Sequence, residues 1–236
     1  MPWSEPVDPA GVSWRDRWPR RSTVIAVVAV VVAVALGALV ALEAGGVIHL
    51  RHRSHRSTGI LLVGDSITYL SAPQIIDALH PADLHFIAKP GYRTDQLLPI
   101  MQDRIDHVMD APRASVAVLV GYNDIFQSTI GDPALTAMVR AASRFRCAVF
   151  LTLPAHTGVG APSLHPYAPG MVAFWNARLR KEVARYRNVH LALDWQSAVD
   201  TGSAADSLLQ PRDVHPLPAG RVRVADAYRR SLARFC

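Results

Sequence analysis

A serine hydroxyl is a weak nucleophile unless its surroundings activate it. Ser66 stands in the stretch Ile60-Leu61-Leu62-Val63-Gly64-Asp65-Ser66-Ile67-Thr68. Four apolar residues read as a short buried strand. A glycine ends it, and residues from Thr68 onward can open a helix. The Ser66 hydroxyl then stands at the carboxyl end of a strand, near a helix N-terminus. Open α/β sheets bind ligands on that rim, and helix dipoles favour developing negative charge there. The plainer role for Ser66 is to cap the helix. The tripeptide Gly-Asp-Ser alone does not separate the two.

Three further segments supply residue types that suit the same chemistry. Lys89-Pro90-Gly91-Tyr92-Arg93-Thr94 follows a second apolar run, and Gly91 can bring a bare backbone N–H close to a ligand. Gly121-Tyr122-Asn123-Asp124 follows a third, and Asn123 offers a side-chain amide. Pro211-Arg212-Asp213-Val214-His215-Pro216 precedes the last helical stretch and delivers an imidazole. Taken singly, Gly91 and Asn123 are ordinary turn residues. Their placement after successive strands is what raises them. Asp65 reads as structural, bonding the turn around Ser66. Tyr92, Tyr122 and the loop bearing His156, His165 and Tyr167 are weaker pocket candidates.

The elements that must hold these groups alternate. Strands are expected at 60–63, Leu84–Ala88, Val116–Val120, Cys147–Leu153 and Val189–Leu193. Helices are expected at Ala72–Leu79, Thr94–Met109, Pro133–Phe145, Ala168–Tyr186 and Leu217–Phe235. Such alternation implies a parallel sheet covered on both faces. Asp194-Trp195 ends the fifth strand and reads as packing and capping.

The G-D-S-I-T and G-Y-N-D segments, with the Gly91 loop and a terminal H-P, resemble the SGNH (GDSL-type) hydrolases over about residues 59–236. The resemblance implies a flavodoxin-like α/β/α fold with strand order 2-1-3-4-5. It also implies ester hydrolysis through an acyl-serine, with Ser66 as nucleophile and His215 as general base. The Ser66 N–H, the Gly91 N–H and the Asn123 amide would form the oxyanion hole. One position departs. The family usually places its acid three residues before the histidine, where this chain has Arg212. Asp213, two before, completes a triad only if the local backbone differs from that norm. Otherwise the site is a Ser-His dyad.

The rest of the chain bounds where this domain works. Val24–Leu42 is nineteen residues without a charged or polar side chain, long enough to span about 28 Å as a helix. It predicts a signal anchor over 23–43 after a cytoplasmic tail (1–22), with a basic linker (44–58) and an extracytoplasmic domain (59–236). Arg15, Arg17, Arg20 and Arg21 precede the span and Arg51, Arg53 and Arg56 follow it, which favours that topology weakly. A cleaved signal peptide competes, but Leu42-Glu43-Ala44 is a poor cleavage site. No acid or cysteine joins His49, His52 and His55 into a metal set, and no cofactor is expected. The net charge of +6 is not gathered on an aromatic-rich face, so nucleic acid is not an expected partner. Cys147 begins a strand and Cys236 ends the closing helix. Both should fall at the edge of the sheet opposite Ser66, where a disulfide can join them. The resulting expectation is a membrane-anchored esterase of O-acyl groups on envelope glycans or lipids. An acyltransferase and a non-catalytic binding domain are the alternatives.

Overall fold

The structure, a computed structural model, describes residues 56–131, 133–156, 169–201 and 204–236. The span Val24–Leu42, the residues preceding it and His49, His52 and His55 lie outside the described residues. Among the described residues no helix is long and apolar enough to cross a membrane.

Five strands form one parallel sheet: β1 (Ile60–Gly64), β2 (Leu84–Ala88), β3 (Ser115–Leu119), β4 (Cys147–Leu151) and β5 (Val189–Ala192). Their order is β2-β1-β3-β4-β5. β3 and β4 are buried at every residue, as strands covered on both faces must be. That is why they read as unbroken apolar runs. β2, at an edge, is mostly half-buried.

Nine helices are described: α1 (Ser66–Leu70), α2 (Ala72–Leu79), α3 (Thr94–His107), α4 (Tyr122–Phe126), α5 (Ala134–Ala142), α6 (Pro169–Val183), α7 (Asp194–Asp200), α8 (Ala204–Leu208) and α9 (Pro218–Phe235). α9 packs on α2, α7 and α8, while α3 packs on α5 and α5 on α6. The chain runs outward from β1 to β2, then crosses back to β3 and continues to β4 and β5. This reversal falls between β1 and β3, whose carboxyl ends are the usual ligand site of such sheets.

Several boundaries differ from expectation, each for a local reason. The first helix begins at Ser66 rather than Thr68, because the Asp65 carboxylate accepts the Ile67 N–H at 3.0 Å and is the N-cap. Ser66 is therefore inside the helix and does not cap it. α3 stops at His107, short of Met109, because Ser57 pairs with Met109 and donates to the Val108 carbonyl. β5 ends at Ala192, since Leu193 turns to helical geometry and leads α7. α7 itself was not expected. Trp195 and Val199, one turn apart, are both fully buried and anchor it.

At the opposite edge Cys147 and Cys236 form a disulfide with 5.6 Å between Cα atoms. It ties the start of β4 to the end of α9. Next to it the His190 ring stacks on Phe235 at 4.8 Å.

Candidate active site

The sheet register sets the site out. Gly64 pairs with Ala88 on one side and with Leu119 on the other. The segments bearing Ser66, Gly91 and Asn123 therefore leave the sheet level with one another. Gly121, between β3 and Asn123, has φ of 131°. A Cβ there would lie 2.3 Å from the Trp175 ring, so only glycine lets this segment pass.

The imidazole arrives from the far end of the sequence. Leu209 and Pro216 form an antiparallel bridge. Gln210 N–H donates to the His215 carbonyl at 2.9 Å, and Leu217 N–H donates to the Leu208 carbonyl at 2.8 Å. Together they close a tight clasp around residues 210–215. Within it Arg212 adopts a φ of 62°, a left-handed geometry uncommon for a side-chain-bearing residue. That kink turns Asp213 toward the histidine. Asp213 Oδ2 lies 2.7 Å from His215 Nδ1, and Oδ1 accepts the Val214 N–H at 2.7 Å. His215 Nε2 in turn lies 2.8 Å from Ser66 Oγ. With Nδ1–H donated to the carboxylate, Nε2 is left as the acceptor for the serine hydroxyl. Both His215 and Asp213 remain about one-third exposed, at 31% and 32%, so solvent reaches them.

The oxyanion candidates are held by neighbours. Gly91 has φ of 77° and open space on the side where a Cβ would project. Its carbonyl accepts from Gln127 Nε2 at 3.3 Å. Asn123 Nδ2 donates to the Tyr92 carbonyl at 3.1 Å. An asparagine amide has two N–H bonds, so one remains. Tyr122 donates its hydroxyl to the Pro154 carbonyl at 2.7 Å. It thus braces the loop after β4 and is not free to line a pocket with that group.

Two buried carboxylates lie beneath: Asp65, which bonds the turn around Ser66 as expected, and Asp124. Asp65 is 1% exposed, and its Oδ2 has no hydrogen-bond partner among the described residues. Burial pushes its pKa up to about 6, opposed by the Ile67 N–H and the nearby His215. Asp124 accepts the Thr94 hydroxyl at 2.9 Å and the Thr94 N–H at 3.1 and 3.3 Å. Burial pushes it up to about 6 as well, against those bonds. Asp124 thereby pins the end of the Gly91 loop to the Asn123 segment. Its place next to Asn123 was the only signal for this role. Thr68 and Tyr228 share a buried hydroxyl contact at 2.9 Å, joining α1 to α9. Among the described residues no group of three His, Cys, Asp or Glu side chains converges as a metal site.

Solved structures share this fold. A GDSL-like lipase from Bacteroides thetaiotaomicron superposes with a TM-score of 0.58 at 16% identity, covering 82% of this chain and 95% of that one. A member of the lipolytic protein G-D-S-L family from Veillonella parvula gives 0.59 at 16% identity, over 74% and 98%. The C-terminal catalytic domain of peptidoglycan O-acetyltransferase A from Streptococcus pneumoniae gives 0.53 at 16% identity, over 75% and 93%. No curated relative matches the sequence. The model of the GDSL-like lipase/acylhydrolase family matches residues 62–222, from β1 into α9. The chain therefore belongs to the GDSL-like lipase/acylhydrolase family, the SGNH-type enzymes that act on ester bonds.

Proposed function

We propose that the domain cleaves O-acyl esters, acetyl esters foremost, through a covalent acyl-serine. The observation that carries this reading is the continuous contact Ser66–His215–Asp213, at 2.8 and 2.7 Å. Ser66 Oγ attacks the ester carbonyl carbon while its proton passes to His215 Nε2. The tetrahedral oxyanion is met by the Ser66 N–H, the Gly91 N–H and the remaining Asn123 N–H. The Ser66 N–H belongs to the first turn of α1 and has no intrahelical acceptor. Collapse breaks the bond to the alcohol oxygen, which takes the proton from His215. Water, activated by the same imidazole, then releases the acid and restores Ser66. Asp213 keeps Nδ1 protonated and offsets the imidazolium charge.

The substrates in this reading are acylated envelope glycans or lipid esters. The support is the apolar span Val24–Leu42, which would anchor the chain with its catalytic domain outside the cytoplasm. The test has two parts. The purified full chain should hydrolyse p-nitrophenyl acetate, and Ser66→Ala should abolish this. A C-terminal epitope should be degraded by protease added to intact cells; protection would refute the topology.

A transferase is the second reading. The likeness to the catalytic domain of peptidoglycan O-acetyltransferase A favours it. A sugar hydroxyl would then replace water in the second half-reaction, and added glycan would capture the acyl group faster than water does. A non-catalytic domain, suggested by Arg212 at the usual acid position, is opposed by the bond from Asp213 to His215.

A further inference from the structure

A second imidazole is held by a carboxylate on the same rim, and the chemistry above does not use it. The loop after β4 brings His156 beside Asp200, the last residue of α7. His156 Nδ1 lies 2.9 Å from Asp200 Oδ1. The same carboxylate accepts the Ala155 N–H at 3.0 and 3.2 Å and the His156 N–H at 3.2 Å. The backbone bonds alone suffice to fasten the loop to α7. The imidazole adds little to that, since exposed pairs contribute little to stability and its side chain is 58% exposed. Its orientation is nevertheless fixed. Nδ1–H points at the carboxylate, so Nε2 presents a lone pair outward. Among the described residues Nε2 has no hydrogen-bond partner.

Position gives this group a use. The Tyr122 hydroxyl bonds the Pro154 carbonyl, which ties the His156 loop to the segment of Asn123. β4 and β5, whose following segments carry His156 and Asp200, lie two and three strands from β1, about 10–15 Å at ordinary strand spacing. A group bonded to the alcohol oxygen of an ester at Ser66 could cover that distance if it were an oligosaccharide. A short alcohol could not. An outward imidazole nitrogen accepts a hydroxyl proton and offers nothing to an alkyl chain.

We infer that the His156–Asp200 pair is a subsite for a sugar hydroxyl on the alcohol side of the scissile ester, so that the substrate is an acylated glycan rather than a lipid. For its substrate class this inference rests on the ester-cleavage reading above. His156 is a binding contact; Asp200 is a positioning residue that acts through it.

The test uses O-acetylated chitotriose as probe. Its binding is measured by calorimetric titration into the full chain carrying Ser66→Ala, with and without His156→Ala. Loss of one neutral hydrogen bond is expected to weaken binding about 3- to 10-fold. His156→Gln, which keeps an acceptor oxygen and the backbone bonds to Asp200, should recover part of the loss. With Ser66 present, His156→Ala should raise KM for the acetylated trisaccharide by a similar factor and leave kcat nearly alone. Equal binding with and without His156, or no binding of the trisaccharide to the Ser66→Ala chain, would overturn the inference. The ester-cleavage reading fails by a different result, namely p-nitrophenyl acetate left intact by the wild-type chain.

Discussion

The two ends of the sheet are built on opposite terms. At the carboxyl end lie Gly91, Gly121 and Arg212 in left-handed geometry, two buried carboxylates with raised pKa values and an unpartnered Asp65 oxygen. At the amino end the loop before β5 is held by direct bonds. Asn188 Nδ2 donates to the Ser143 and Phe145 carbonyls at 2.9 and 2.6 Å, and a disulfide closes the edge. Costly conformations and desolvated charge gather where the reaction would occur. The covalent tie gathers where it does not. One end can be tuned for chemistry because the other secures the fold.

If this division holds, substitutions at the rim should change rate and those at the base should change stability. The largest effect is expected from Ser66→Ala, which should lower kcat on p-nitrophenyl acetate by about 10⁴–10⁶-fold with an unchanged melting midpoint. Asp213→Asn comes next, at about 10²–10⁴-fold in kcat, since the imidazole loses the partner that fixes its tautomer. A loss of only a few-fold would assign Asp213 no triad role. At the base, Cys147→Ser with Cys236→Ser should cost about 4–5 kcal/mol in the chain-entropy account for a separation of 89 residues. Denaturant unfolding measures it, and kcat at low temperature should survive. Asn123→Ala should lower kcat by about 10²–10³-fold, without the loss of stability seen at the base.

The smallest effect is in pH. Asp65 and Asp124 hold their protons more tightly folded than unfolded. Between about pH 4 and pH 6 the unfolded chain therefore binds fewer protons, and stability falls as pH rises through that window. Each group contributes on the order of 2 kcal/mol. Melting midpoints from pH 4 to 7 should show the fall, and Asp65→Asn should remove its share. A flat profile in the wild-type chain would mean that the rim is less costly than its geometry implies.

Strands were legible because burial on both faces leaves an unmistakable apolar run, as in Val116 to Leu119. Ser66, Gly91, Asn123 and His215 were legible because each follows or precedes a recognisable element. What escaped depended on contacts between distant residues. Asp124 reads as one more turn acid until Thr94 is brought against it. The contact of Asp213 with His215 goes with the left-handed φ of Arg212, which no residue pattern discloses. α7 was hidden because only Trp195 and Val199 mark its inner face, too few to establish a period.

The Leu209–Pro216 bridge makes acid and base travel together on a self-closed loop, while the nucleophile sits at the start of α1, just past β1. Such a loop can gain or lose a residue, shifting the spacing of its two functional groups, without disturbing the scaffold beneath. Descendants of one ancestor could then diverge in that interval and still keep a working proton relay.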